Sequence, residues 1–165
     1  LIAHEVMIRQ DYIMRMIEQL VKVLSKILLN KETGDYESAV RTTDHALKSI
    51  VGIDFSLIDK LSAGDIKLLF EMTKDNSTTG IKCIVTAKLI KEKADILKLK
   101  NNNYSKQVSN YQKALSLFLD GIIDNKNTEI DLSKFYPDIN EIVKFLADEI
   151  ANDTKTKLLK FYELN

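Results

Sequence analysis

Between Ile8 and Leu29 apolar residues recur at Ile13, Met16, Ile17, Leu20, Leu24, Ile27 and Leu28. That is the three-and-four spacing of one helical face, and it predicts a long amphipathic helix. The periodicity lapses in LNKETGDY, where Gly34 permits a turn, and it resumes at Tyr36, Ala39, Val40, Ala46, Leu47 and Ile50 up to Gly52. Residues 8–51 therefore read as an antiparallel helical hairpin. Residues 53–75 are less regular and read as a bridge of two short helices, one capped by Asp54 or Ser56 and running through Leu61, the next capped by Ser62 and running through Met72. DNSTTG at 75–80 reads as a loop, with Thr78 or Thr79 as the cap of the helix that follows.

The helix expected from Gly80 to Lys100 carries two apolar seams. At 100° per residue, Ile81, Val85, Leu89, Ile96 and Leu99 fall on one side and Ala87, Ile90, Ala94 and Leu97 nearly opposite. Two seams require neighbours on both flanks, so this helix should lie inside the molecule. NNN at 101–103 breaks the pattern, and Tyr104, Val108, Tyr111, Ala114, Leu115, Phe118 and Leu119 rebuild it, making 80–124 a second hairpin. After the polar link DNKNTEIDLSKFY, Pro137 suits a first helical turn, where its missing N–H costs nothing. Residues 137–165 then read as a terminal helical pair, the last helix capped by Asp153 or Thr154. The apolar face at Leu158, Leu159, Phe161 and Tyr162 has no evident partner, so the chain is expected to be a truncated piece of a longer protein, with Met7 as a natural start.

The two hairpins echo each other. GDYESAVRTTDHAL at 34–47 aligns with NNYSKQVSNYQKAL at 102–115, pairing Tyr36 with Tyr104, Ala39 with Gln107, Thr43 with Tyr111, Ala46 with Ala114 and Leu47 with Leu115. Tyr36 and Tyr104 stand 68 residues apart, twice the 34-residue tetratricopeptide period. The pattern G-x-Y-x-x-A followed by A-L resembles the junction between the paired helices of that repeat. The resemblance implies repeat-packing roles for Gly34, Tyr36, Ala39, Ala46, Leu47, Tyr104, Tyr111, Ala114 and Leu115: a turn at Gly34, tyrosines capping the groove, and small residues where helix axes approach. No middle repeat is visible, because a junction near Phe70 would fall on FEMTKDNSTTG. The opening MIRQDYIMRMIEQL also resembles an uncharacterised bacterial family with an R-x-DY-I-x-R-M-I-E-Q start and tetratricopeptide-like helices. The expected fold is all-α: one domain over 1–165, about seven helices, with hairpins stacked as a short tetratricopeptide-like superhelix or an irregular bundle.

Composition agrees with one soluble helical domain, since five Gly and one Pro leave little punctuation for an all-β fold. The single cysteine, Cys83, gives no internal disulfide and points to the cytoplasm. No apolar run approaches a membrane span, so no membrane role is expected. Lys plus Arg and Asp plus Glu both total 24, so no global field steers the molecule to nucleic acid. The charge is locally uneven. Residues 81–113 hold eight Lys against Glu92 and Asp95, while 120–153 hold nine acids against Lys126, Lys134 and Lys144. Mutual neutralisation of these segments is the plainer expectation, and an acidic partner or RNA meeting the basic segment the sharper one. Lysines split into two stripes with no Arg argue against nucleic acid.

Chemistry-bearing residues are few. His45 has no ligand partner, one His and one Cys cannot build a zinc site, and Cys83 sits in apolar IKCIV. No phosphate-loop, dinucleotide, zincin or nucleophile-elbow motif occurs. Asp120 with Asp124, and Asp148 with Glu149, read as solvated helix faces. The expectation is therefore a non-enzymatic module without metal or cofactor that binds an unidentified protein or peptide, with Lys88, Lys91 and Lys98 as candidate partner contacts. The alternative is a homo-oligomeric structural protein.

Overall fold

The computed structural model describes residues 2–73, 76–126 and 128–165. Among them are eight α-helices and no strand: α1 Ile2–Glu32, α2 Tyr36–Ala46, α3 Phe55–Lys60, α4 Ala63–Glu71, α5 Thr79–Leu99, α6 Tyr104–Asp124, α7 Tyr136–Leu146 and α8 Asn152–Glu163. α1 begins six residues before the predicted start at Ile8, and α2 runs on into a π-helical turn, Leu47–Val51, that stops at Gly52 with φ +80°. The bridge is two helices as expected. Ser62 caps α4 by accepting from the Asp65 N–H, whereas Asp54 precedes α3 without a side-chain capping bond. Of the expected 75–80 loop, Asn76–Thr78 form a 3₁₀ turn leading into α5, and Asp75 lies outside the described residues.

The helices pack as a bundle around α5. α5 touches α1, α2 and α4 as well as its hairpin partner α6, and α6 in turn packs against α4, α7 and α8. The two-seam prediction is met from Ile81 to Ile96, where both apolar rows are buried; Leu99 is the exception, lying exposed past the end of the packed length. α5 and α6 come into close contact at Gly80 and Gly121. A Cβ on Gly121 would stand 2.5 Å from the Gly80 carbonyl oxygen and collide with Ile84, so only hydrogen fits there.

The echo between hairpins has a definite structural content. Tyr36 and Tyr104 are the first residues of α2 and α6, and the residues before them, Asp35 and Asn103, are equivalent N-caps accepting from the Ser38 and Lys106 N–H groups. Ala39 and Gln107, Thr43 and Tyr111, Ala46 and Ala114, and Leu47 and Leu115 are all buried. Gly34 has φ +77°, while the second turn uses Asn101 and Asn103, at φ +49° and +46°, rather than the aligned Asn102. Tyr104 is exposed and lays its ring 5.9 Å from Phe145, so it does not close a groove between α5 and α6.

The terminal pair corrects a further expectation. Leu158 and Phe161 are buried, with α8 packed on α6 and the Phe161 ring set edge-on to Tyr136 at 5.0 Å; only Leu159 and Tyr162 of that face remain exposed. α8 starts after Ala151 rather than at Asp153 or Thr154. The N-cap Ala151 has no side-chain capping bond; its own N–H donates to Gln112 Oε1, and Gln112 Nε2 donates to the Glu149 carbonyl, so α6 anchors the entry to α8. Pro137 lies in the first turn of α7 as expected.

Candidate functional site

The two surfaces that differ most from ordinary packing are an internal ion network on α5 and the outer side of α1. The network begins with the lysines of the basic segment. Lys88 Nζ donates to Asp138 Oδ1 at 2.6 Å and lies 3.4 Å from Glu92, whose other oxygen accepts from Lys31 at 2.8 Å. Lys91 Nζ lies 2.9 Å from Asp95, 2.8 Å from Glu141 and 3.5 Å from Asp138. Tyr111 Oη donates to Asp95 at 2.6 Å and closes the chain. Three ammonium groups, from α1 and α5, thus meet four carboxylates from α5 and α7.

Burial makes this arrangement demanding. The Lys91 side chain is 4% exposed, and an ammonium there survives only because its protons are matched. Burial alone would push its pKa down, but Asp95, Glu141 and Asp138 outweigh that and hold it well above the lysine norm. Burial, followed by the Asp95 charge, likewise raises the Tyr111 phenol. Each of these protons is held in place by its partners, the opposite of a poised acid or base.

Lys88 and Lys91 are therefore not a face offered to a partner. They turn inward onto the chain's own carboxylates, because the acidic segment folds against the basic one. Lys98 alone of the three is exposed, with its ammonium 5.2 Å from the Phe145 ring. Together with Lys144, Lys91, Asp95, Tyr111, Glu141 and Phe145 it lines a cleft of about 370 Å³ at the open end of the network. Elsewhere in the basic segment, Lys93 pairs with Asp44 at 2.6 Å and covers the Phe55 ring, Lys106 pairs with Asp59, and Lys113 donates to the Ile58 carbonyl. Ion pairs to Lys88, Lys91, Lys93 and Lys106 thus occupy half of the eight lysines in this segment, charge that a polyanion would otherwise use.

The remaining candidates are structural in their settings. His45 is exposed on α2. Cys83 is fully buried, and its thiol is pushed up to about 12 by burial, with Asp120 adding to the effect. Asp120 is buried and accepts from Lys157 Nζ, which also donates to Ser116 Oγ; Asp124 pairs with Lys67, and Glu149 accepts from Tyr104 Oη, so the carboxylate pairs are not all solvated faces. Among the described residues, no three His, Cys, Asp or Glu side chains are placed to hold a metal ion, and no helix is long and apolar enough to cross a membrane.

The outer side of α1 is the feature that a helix-face reading overlooked. Met7, Met14, Val21 and Leu28 are 63%, 51%, 51% and 52% exposed, and their seven-residue spacing keeps them in line along the helix. On the core-facing side of this stripe, Gln10, Met14 and Ile17 form one wall of a groove of about 340 Å³. The other wall is Glu129, Ile130, Asp131 and Lys134. The spacing was visible in the sequence, but Leu28 counts equally well towards the core face, and only burial separates the two. No curated protein and no solved structure matches the chain. Residues 7–149 match the model of a family of unknown function, DUF6483, and the chain belongs to that family.

Proposed function

We propose that this protein is a non-catalytic, cytoplasmic interaction or scaffold module, its tetratricopeptide-like hairpins serving to hold α1 as a rigid docking edge. The observation that carries this reading is the exposed stripe Met7, Met14, Val21 and Leu28. A 31-residue helix anchored along one side presents aligned apolar side chains on the other, and contiguous exposed apolar surface is a feature that protein contacts use. The pairing of Lys88, Lys91 and Tyr111 with the chain's own carboxylates supports the same reading, since it ties up the buried polar cluster on α5 in packing.

Quantitative capture from source cells tests it, comparing the wild type with the double variant Met14→Glu/Val21→Glu. The proposal expects proteins bound by the wild type to be lost from the variant, with circular dichroism unchanged. Identical recovery with both would overturn it. A second copy of the chain is the other occupant to consider, and the exposed edge of α8 favours it.

A further inference from the structure

We infer that the groove beside α1 receives the exposed edge of α8 from a second copy of this chain, so that two molecules dock α8 against α1 in a closed pair. This rests on the interaction-module reading above and names the partner. The groove is apolar at its floor and acidic at its rims. Asp11 and Glu18 follow the stripe residues Met7 and Met14 by four positions, which sets them about 40° further out on the same side of α1. Glu129 and Asp131 stand on the opposite wall, with Lys134 as the cation among the lining residues. Asp11, Glu18 and Glu129 make no ion pair among the described residues.

The α8 edge is the complement. Leu159 and Tyr162 are 65% and 50% exposed on a helix whose other side, Leu158 and Phe161, is buried on the body of the protein. Lys155 and Lys160 flank Leu159 at about 40° and 100° on its two sides, both exposed and without ion pairs among the described residues, and Glu163 is the acid between them. Two lysines and a glutamate thus face four carboxylates and a lysine around an apolar centre. Position favours closure as well. Leu164 and Asn165 at the end of α8 line a depression with Ile130 and Asp131, the same two residues that wall the α1 groove on the other side. Donor edge and acceptor groove are therefore neighbours across the 129–132 segment, and a two-fold axis near Ile130 would let each copy supply both.

Sedimentation equilibrium on the whole chain over a wide concentration range tests this, with circular dichroism confirming that each variant is folded. The wild type should dimerise. Leu159→Asp and Met14→Asp should each weaken the dimer by roughly tenfold or more. The charge reversals Lys155→Glu/Lys160→Glu and Asp11→Lys/Glu18→Lys should each weaken it, and mixing the two reversed proteins should restore a heterodimer. A wild type monomeric throughout, a dimer indifferent to Leu159 and Met14, or reversed proteins that fail to recover on mixing would overturn the inference. If the wild type is monomeric while capture of other proteins is still lost in Met14→Glu/Val21→Glu, this inference falls and the module reading stands.

Discussion

α1 and α5 are both long helices that contribute to the core, and they use their residues in opposite ways. α5 is surrounded and carries lysines into the interior, Lys91 among them, while α1 lies at an edge and carries methionine, valine and leucine on its outside. The difference shows that charge and exposure can be decoupled when neighbours supply the compensation. Inside, the carboxylates of α7 and of α5 itself match each ammonium, so burial is tolerated. Outside, the apolar stripe of α1 has no such match among the described residues and stays exposed, which is why association is proposed for it.

The contrast can be broken most severely at Lys91. Lys91→Ala removes the cation shared by Asp95, Asp138 and Glu141; Asp138 keeps Lys88 and Glu141 is largely exposed, so the loss falls mainly on Asp95 and should cost about 3 kcal/mol, the low end for breaking a buried ion pair. The urea midpoint should fall accordingly. A change under ~1 kcal/mol would mean that the network rearranges and does not organise the interior. Next comes the α5–α6 crossing. Gly121→Ala inserts a methyl against the Gly80 carbonyl and Ile84, and overpacking there should cost about 1–3 kcal/mol in the same assay, where Gly64→Ala, whose nearest neighbour is 3.8 Å away, should not.

The buried thiol sharpens the comparison by pH. Folding raises Cys83 from the usual 9.0 to about 12, so between those values the native state keeps a proton that the unfolded chain has released. Stability therefore falls as pH rises through that window, with a slope of up to ~1.4 kcal/mol per pH unit from this group. Urea melts from pH 8 upward should show a shallower alkaline loss in Cys83→Ala than in the wild type. Tyr111→Phe removes the hydroxyl that holds Asp95 while leaving the ring, which packs 4.6 Å from Phe145. About 1–2 kcal/mol is expected for a bond to a charged acceptor, again read from denaturation. Smallest in its effect on folding is Met14→Glu/Val21→Glu on the outer side of α1. Its stability should stay within ~0.5 kcal/mol of wild type, measured by thermal melting, even as association is lost.

Much of the helical layout was legible because each hairpin obeys short-range rules. Gly34, the 101–103 asparagines, Ser62 and Pro137 all mark boundaries through local backbone preference, and the paired seams of α5 announced a central helix before any neighbour was known. The anchoring of the start of α8 was not legible, since Gln112 reaches Ala151 from α6, 39 residues away. Nor was the fate of the lysines. Lys88, Lys91 and Lys98 share one stripe of α5, yet Lys91 is buried among three carboxylates and Lys98 is exposed beside a ring.

What the sequence by itself determined is the set of helices, their turns and the inward faces, because these follow from periodicities of three and four residues and from single turn residues. Tertiary structure decided which surplus becomes surface. The excess of lysine in 81–113 is absorbed when α7 brings Asp138 and Glu141 against α5, a contact spanning about fifty residues that no local pattern encodes. The apolar excess on α1 and α8 is left outside, because each of these helices lies at an edge of the bundle with only one flank covered.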